Sequence, residues 1–493
     1  MVLKTKTARD AAATFNLVDE AWIPVRQDGS RRLVGLDELF RTAHEIQDLD
    51  CAAHERIALL RLLVCITHAA FGAPESPEEW GDFGAELAAK VPQYLQRSDV
   101  KPHFNLLGDG PRFLQVPVAG DKEPVDITKL VFHLATGNNP TLLDHEGGLP
   151  RTLHPAKAAL ALLTFQNFYP PYGAGHKGKG PCVDRNMIHT VLEAGSIAGT
   201  ILQNCLTRDF ITEYFPDMGR PLWELAPQDS AFTQKATTSY LGRLVPRHRS
   251  VWLRDSLDGF VINQQGMEYP NFEEAREPTA TLRIYKKADV TERGLLDCKV
   301  DRAIWRDLHA ILVVKHAQAN EMSGPLNLQV RCRRSGEPFQ IWTGGLVTDG
   351  KAKIFDAIES TFTIPSGMLT DEGRAFYQAG VEFAETQSGR LKWAVTEYSK
   401  AMKHESPATA KAQSRYWHVL DRESPLLLEL VGKPMPLAYA EAGNPWGDLV
   451  RRAAREAYEA TCPRQTPRQI KAFAAGLKKL SVPKPKTPPT HEH

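Results

Sequence analysis

The sequence predicts an α+β protein, with a large mixed α/β N-terminal domain over residues 1–365 and a C-terminal four-helix bundle over 370–480. Three observations carry this. The chain has 493 residues, too many for one ordinary core, so more than one domain follows. Between about 208 and 365, β-rich segments such as Ser250-Val-Trp-Leu-Arg254, Ala280-Thr-Leu-Arg-Ile-Tyr285 and Phe339-Gln-Ile-Trp-Thr343 are set among helical ones. From 370 onward the pattern is helical, and turns near Pro407, Gly432-Lys-Pro434 and Gly443-Asn-Pro445 divide it into four helices of about 15–25 residues.

The elements follow in order. Residues 1 to about 15 read as a flexible lead. Phe15-Asn-Leu-Val-Asp-Glu-Ala-Trp-Ile-Pro-Val25 is aromatic and β-branched and reads as part of a strand pair, turning at Gln27-Asp-Gly-Ser30. A helix is predicted from Asp37 to His44, with Asp37 as N-cap. Over Ala53–Phe71, Ile57, Leu60, Leu63, Val64 and Thr67 recur at helical spacing, and Gly72 ends the run. Asp126 to Phe132 is short and apolar, and Thr136 to Gly148 is a long loop. Helices are predicted over Leu153–Phe165 and Asn186–Leu206. Gly344 to Ile354 has apolar flanks around Asp349-Gly350, the chemistry of a hairpin tip. In the bundle, Tyr416, Trp417, Leu420, Leu426, Leu427, Leu428 and Leu430 are the predicted core. The tail, 481–493, is proline-rich and expected to be disordered.

The most informative stretch is Tyr172-Gly-Ala-Gly-His-Lys-Gly-Lys-Gly180. Without a Cβ, its glycines let backbone amides come close to a phosphate or a base edge, and its lysines add positive charge there. Gly173, Gly178 and Lys179 have the spacing of a nucleotide-binding P-loop, but Gly180 stands where that loop needs Ser or Thr to hold magnesium. Pro170-Pro171 just upstream also fits a central strand poorly. A solvated surface loop and an anion or nucleic-acid contact remain as readings.

The formal net charge is only +1, so any nucleic-acid contact is local or shared with partners. Arg451, Arg452, Arg455, Arg464, Arg468, Lys471, Lys478 and Lys479 give the last two helices a basic cast. The seven cysteines, at 51, 65, 182, 205, 298, 332 and 462, include no C-x-x-C pair, which fits reduced cytoplasmic thiols rather than a zinc site. Cys182 reads as a structural thiol. Met1-Val-Leu-Lys-Thr-Lys6 lacks the continuous apolar core and cleavage site expected of a signal peptide, and the sequence has no apolar run long enough to cross a bilayer. No H-E-x-x-H, G-x-S-x-G or run of closely spaced acids is present. Their absence weakens an enzyme reading without excluding it, and no metal or cofactor is expected. A nucleotide-binding enzyme that uses the Gly/Lys loop and a protein scaffold are the alternatives.

Phe15–Val25, Leu36-Asp-Glu-Leu-Phe40, Phe104-Asn-Leu-Leu107 with Arg112-Phe-Leu-Gln115, Pro221-Leu-Trp-Glu224 and Ile341-Trp-Thr-Gly-Gly345 occur in this order. Taken together the chain resembles, over nearly its whole length, the CasA (Cse-type) large-subunit family of type I-E CRISPR Cascade complexes. The resemblance implies a non-catalytic subunit of an RNA-guided surveillance complex. It would recognise the protospacer-adjacent motif (PAM) in double-stranded DNA with its N-terminal domain, start R-loop formation and recruit the helicase–nuclease. Implied partners are the other Cascade subunits, CRISPR RNA, target DNA and that effector, with no membrane. Gly173, Ala174, Gly175, His176, Lys177 and Lys179 match the glycine loop that approaches the PAM from the minor groove. Thr348, Asp349, Gly350 and Lys351 match the hairpin tip that wedges the duplex, with Gly350-Lys351 where many relatives carry glutamine. Thr141, Leu142, Leu143, Asp144 and His145 match the segment that docks near the CRISPR RNA 5′ handle. The region that would supply a groove-reaching lysine, Asp258 to Pro270, has none. Arg451, Arg452, Arg455, Arg468 and Lys471 are candidates for nonspecific DNA contacts.

Overall fold

The computed structural model describes residues 14–120, 122–131, 151–168, 180–225, 233, 235–263, 276–287, 290–314, 323–332, 337–349, 354–403, 406–433 and 438–480. It divides into two compact units, one of residues 1–302 with 313–363 and one of 303–312 with 364–493. The predicted flexible lead and disordered tail fall outside the described residues, apart from the end of the lead.

The strands of the first unit are β1 (Ile23–Gln27), β2 (Ser30–Val34), β3 (Ile46–Leu49), β4 (Val125–Asp126), β5 (His189–Glu193), β6 (Val251–Leu253), β7 (Gly259–Ile262), β8 (Leu282–Lys287), β9 (Val290–Leu295), β10 (Phe339–Thr348) and β11 (Ile354–Ile364). Its helices are α1 (Leu36–Arg41), α2 (Ala53–Phe71), α3 (Trp80–Leu95), α4 (Pro155–Phe168), α5 (Ile197–Gln203), α6 (Arg208–Tyr214) and α7 (Tyr240–Leu244). The strands form small sheets, with orders β2-β1-β3, β11-β10-β5 and β4-β7-β6, and a β8-β9 pair.

The β1–β2 turn is the one the sequence implies. Asp28 and Gly29 take φ of 51° and 73°, the left-handed pair that a two-residue hairpin needs. Helix α2 also has its predicted bounds, and Gly72 ends it at φ 85°. It is apolar nearly all round because it is the central post of the core: α3, α4, α5, α7 and β10 all pack on it.

Two expectations are corrected. Asp37 is not the N-cap of α1; it lies in the first turn and pairs with Arg41 at 2.6 Å. The N–H groups of Leu36 and Asp37 bond instead to the Leu17 and Val18 carbonyls at 3.1 and 2.9 Å, so neighbouring backbone does the work of a cap. Asn186–Leu206 is not one helix. It holds β5 and the short α5, whose N-cap Ser196 accepts from the Gly199 N–H at 3.3 Å. A short apolar run is ambiguous between strand and helix, and pairing with β10 decides it. The register runs from Gly344 opposite His189 to Gln340 opposite Glu193.

The second unit holds the short α8 (Leu308–Ile311), then α10 (Asp371–Met402), α11 (Thr409–Glu423), α12 (Pro425–Leu430), α13 (Pro445–Thr461) and α14 (Pro467–Leu480); α9 (Leu326–Cys332) belongs to the first unit. Thr370 caps α10 and Asn444 caps α13, accepting from the Gly373 and Gly447 N–H groups at 3.0 and 2.9 Å. Helix α10 packs against α11, α13 and α14. Gly476 permits a close approach of α14 to α10 and α13: a Cβ there would lie 2.1 Å from the Tyr458 hydroxyl and 2.6 Å from the Ala394 carbonyl. Of the predicted core residues, Tyr416, Leu420, Leu427, Leu428 and Leu430 are buried, while Trp417 and Leu426 are half-buried. Residues 303–312 join this unit because Trp305 is embedded in it. Its ring meets Trp446 edge-on at 5.8 Å, its Nε1 donates to Asp421 at 2.8 Å, and its carbonyl accepts from the Tyr377 hydroxyl at 2.8 Å.

Candidate nucleic-acid interface

Gly173, Ala174, Gly175, His176, Lys177 and Lys179 lie outside the described residues, as do Thr141, Leu142, Leu143, Asp144, His145, Gly350 and Lys351. The structure describes the stems from which these segments leave, together with Thr348 and Asp349.

The glycine–lysine segment leaves the end of α4 and returns at Gly180. Both stems are fixed by buried polar groups. Gln166 donates from Nε2 to the Leu114 and Arg249 carbonyls at 3.1 and 2.9 Å and accepts from the Arg249 N–H at 2.9 Å. Asn167 donates to the Leu163 carbonyl at 2.9 Å and accepts from the Cys182 thiol at 3.6 Å, which ties the outgoing stem to the returning one. His189 continues the chain: its Nε2 meets the Cys182 carbonyl at 3.0 Å and its Nδ1 meets the Thr279 hydroxyl at 2.8 Å. Thr279 lies 3.5 Å from Glu277, which pairs with Arg61 and, at 3.4 Å, with Arg243. Arg61, Arg243 and Glu277 are all buried.

Burial sets the protonation states. It pushes the Cys182 thiol up to about 12, so this cysteine is inert. It pushes His189 down to about 4, so the imidazole is neutral and bridges two groups. Burial alone would raise the Glu277 carboxyl, but Arg61 and then Arg243 outweigh it and hold it below its ordinary value.

The wedge candidate grows from the same wall. Strand β10 lies between β11 and β5 and is buried at all but one of its positions, so its end is rigidly placed. At that end Thr348 is clasped by Asn186. The Thr348 N–H and hydroxyl donate to Asn186 Oδ1 at 3.2 and 2.9 Å, and Asn186 Nδ2 donates to the Thr348 carbonyl at 3.0 Å. Asn186 sits at φ 53°, a left-handed conformation that asparagine tolerates better than most residues. Asp349 follows, exposed. The return of the lysine segment and the root of the hairpin tip are thus joined through one side chain.

The segment holding Thr141–His145 also leaves and returns at one place. The Ile127 N–H bonds to the Asp258 carbonyl at 3.2 Å, and the Leu153 N–H bonds to the Leu257 carbonyl at 3.0 Å. In the second unit, three of the five basic candidates have partners within the chain. Arg451 donates to the Tyr439 and Glu441 carbonyls at 2.8 and 2.7 Å, Arg455 pairs with Glu459 at 3.0 Å, and Arg468 donates to the Met402 carbonyl at 3.0 Å. Arg452 and Lys471 are exposed.

Asn186, His189 and Glu277 are absent from the sequence-based candidates. A turn-favouring asparagine just before an apolar run was a usable signal for the first. Nothing local marks the other two. Asn186→Gly keeps the backbone conformation and removes the clasp. It is expected to lower hydrogen-exchange protection at Thr348 about tenfold, the effect of losing about 1.4 kcal/mol of hydrogen bonding. Unchanged protection there would show that the clasp does not hold the hairpin root.

A family model for CRISPR-associated protein Cse1 matches residues 16–457. CasA/Cse1 of Thermus thermophilus is 30% identical over 482 residues, which cover 91% of this chain and 92% of that protein. The crystal structure of CasA from Thermus thermophilus superposes with a TM-score of 0.76 at 25% identity, covering 95% of this chain and 98% of that one. A chain from a CRISPR RNA-guided surveillance complex superposes with a TM-score of 0.69 at 19% identity, covering 95% and 99%.

Proposed function

We propose that this chain, which belongs to the CRISPR-associated Cse1 family, is the non-catalytic large subunit of an RNA-guided Cascade complex, where it reads a PAM in double-stranded DNA and begins strand separation. The observation that carries this reading is the Asn186 clasp. It gives a main-chain reader and a hairpin wedge a common footing, so that contact at one place positions the other.

The roles divide by chemistry. Gly173, Ala174 and Gly175 present bare backbone to the minor groove, while His176, Lys177 and Lys179 supply donors and charge. The minor groove carries a degenerate pattern, so several PAM sequences are accepted. Thr348 and Asp349 root the wedge, and Gly350 and Lys351 enter the opened step. Opening costs on the order of 1.4 kcal/mol per average stacking step, which phosphate contacts and the growing RNA–DNA hybrid offset. Thr141, Leu142, Leu143, Asp144 and His145 dock against the CRISPR RNA handle and partner subunits. Residues 370–480 act as a four-helix bundle. Arg452 and Lys471 on its exterior hold DNA nonspecifically, and the helicase–nuclease is recruited from the cytoplasm once the duplex is open.

A gel shift at two salt concentrations tests this, comparing PAM-bearing and PAM-less duplex with and without the RNA-loaded partner subunits. The expected result is tighter binding of the PAM duplex by the assembled complex, weakening as salt rises. Equal affinity for the two duplexes overturns the reading. ATP turnover by the isolated chain, lost in Lys179→Ala, would favour a nucleotide-binding enzyme instead.

A further inference from the structure

We propose that the groove between α11 and α13 is a docking site for an amphipathic helix of a partner protein, one that carries acidic residues along one flank; this rests on the place in a multi-subunit complex proposed above. The groove has a volume of about 430 Å³. Arg415, His418 and Val419 of α11 form one wall, and Ala453, Glu456, Ala457 and Ala460 of α13 form the other. The two helices pack on each other, so the floor is fixed. Ala453 and Ala457 are buried in it and Val419 is half-buried, while Arg415, His418, Glu456 and Ala460 are exposed along its rim.

Shape selects a helix. The ridge of a third helix seats naturally in the cleft between two packed ones. Three alanines and one valine leave room for its backbone to come close, and Ala453 to Ala460 covers about two turns, or roughly 10 Å.

Charge selects the sequence of that helix. Lys411, Arg415 and His418 recur at i, i+4 and i+7, so they share one face of α11, and all three are exposed. In this unit Arg374, Arg422, Arg451, Arg455 and Arg464 each pair with a carboxylate. Among the described residues Lys411, Arg415 and His418 pair with none, and neither does Glu456 on the opposite wall. An occupant with Asp or Glu toward α11 and a Lys or Arg toward Glu456 satisfies both walls. A nucleic acid fits less well. No aromatic side chain lines the groove to stack a base, and the Glu456 carboxylate repels phosphates.

The test uses the full chain assembled with its RNA-loaded partner subunits. Benzoylphenylalanine replaces the exposed His418 as a photocrosslinker, and the products are mapped by mass spectrometry. The expected result is a crosslink to one helical protein segment in which Asp or Glu recurs three or four residues apart. Arg415→Glu should weaken the affinity of the chain for the partner subunits about tenfold, because like charges then face each other. Replacing the mapped carboxylate with Lys should restore it. Ala460→Gln obstructs the groove without changing its charge; it should also weaken binding, and that Lys should not rescue it. Residues 415 and 460 are both exposed, so the fold tolerates these changes. No crosslink, a crosslink to RNA or DNA, a mapped segment without acidic residues, or unchanged affinity in Arg415→Glu overturns the docking site and leaves the chain in its complex. If the wild-type chain and the partner subunits do not assemble, that reading falls as well.

Discussion

Glu277→Gln is expected to cost the first unit about 3–5 kcal/mol, the usual penalty for removing one partner from a buried charge cluster. The loss is large because Glu277 faces two guanidinium groups, Arg61 and Arg243, and all three side chains are buried. An amide removes the carboxylate charge that faces both guanidinium groups in a medium that screens charge poorly. Arg61 Nε keeps its bond to the Leu244 carbonyl at 3.0 Å, but that acceptor is neutral. Urea denaturation followed through the first unit measures the change. The sign of the pH dependence is fixed as well. Arg61 and Arg243 hold the Glu277 carboxyl below its ordinary value against the upward push of burial. Its contribution is therefore present above about pH 4.3 and is lost as pH falls through the folded value. The gap between wild type and variant should be flat from about pH 5 to 8 and close below about pH 4. His189 adds a slope of its own. Its imidazole is depressed to about 4 in the fold, so the unfolded chain binds more protons between that value and about 6.5, and stability rises with pH there. A gap that widened on acidification would contradict the assigned ionisation of Glu277.

What the sequence makes legible is what neighbours along the chain decide. Helix α2 could be bounded because Ile57, Leu60, Leu63 and Val64 repeat at helical spacing and Gly72 follows. The β1–β2 turn could be placed because Asp28-Gly29 suits a left-handed pair. What escaped depends on distant partners. The His189–Glu193 run is too short for its periodicity to speak, and it becomes a strand only because Phe339–Thr348 lies beside it. Trp305 belongs with the second unit through Trp446 and Tyr377, which no local pattern announces. The candidate site divides the same way. Glycine and lysine density marked Gly173–Lys179, and an Asp-Gly pair marked the hairpin tip. Their common footing on Asn186 joins residues separated by 162 positions, and the Arg61–Glu277 pair under them spans 216.

Gly175→Asp is expected to remove PAM-dependent binding while leaving assembly intact. Two effects act together. A side chain at this position keeps the main chain from closing on the groove, and the added carboxylate faces phosphates. At about 4 Å and an effective dielectric near 20, that repulsion is about 4 kcal/mol, close to a thousandfold in affinity. Gly175→Ala separates the contributions, since it adds the bulk without the charge and should lose less. Salt separates them again: screening relieves the charge term of the Asp variant and leaves the steric one. Lys177 and Lys179 remain in both variants, so weak binding to PAM-less duplex should persist and the two duplexes should become indistinguishable. The folded core should not notice, because the buried stems at Gln166, Asn167, Cys182 and His189 hold one another through hydrogen bonds of their own. Equilibrium binding of both duplexes to the assembled complex, with co-purification of the partner subunits as the assembly check, decides the matter. If Gly175→Asp still prefers the PAM duplex as strongly as wild type, the reader lies elsewhere, and the clasp at Asn186 serves the hairpin alone.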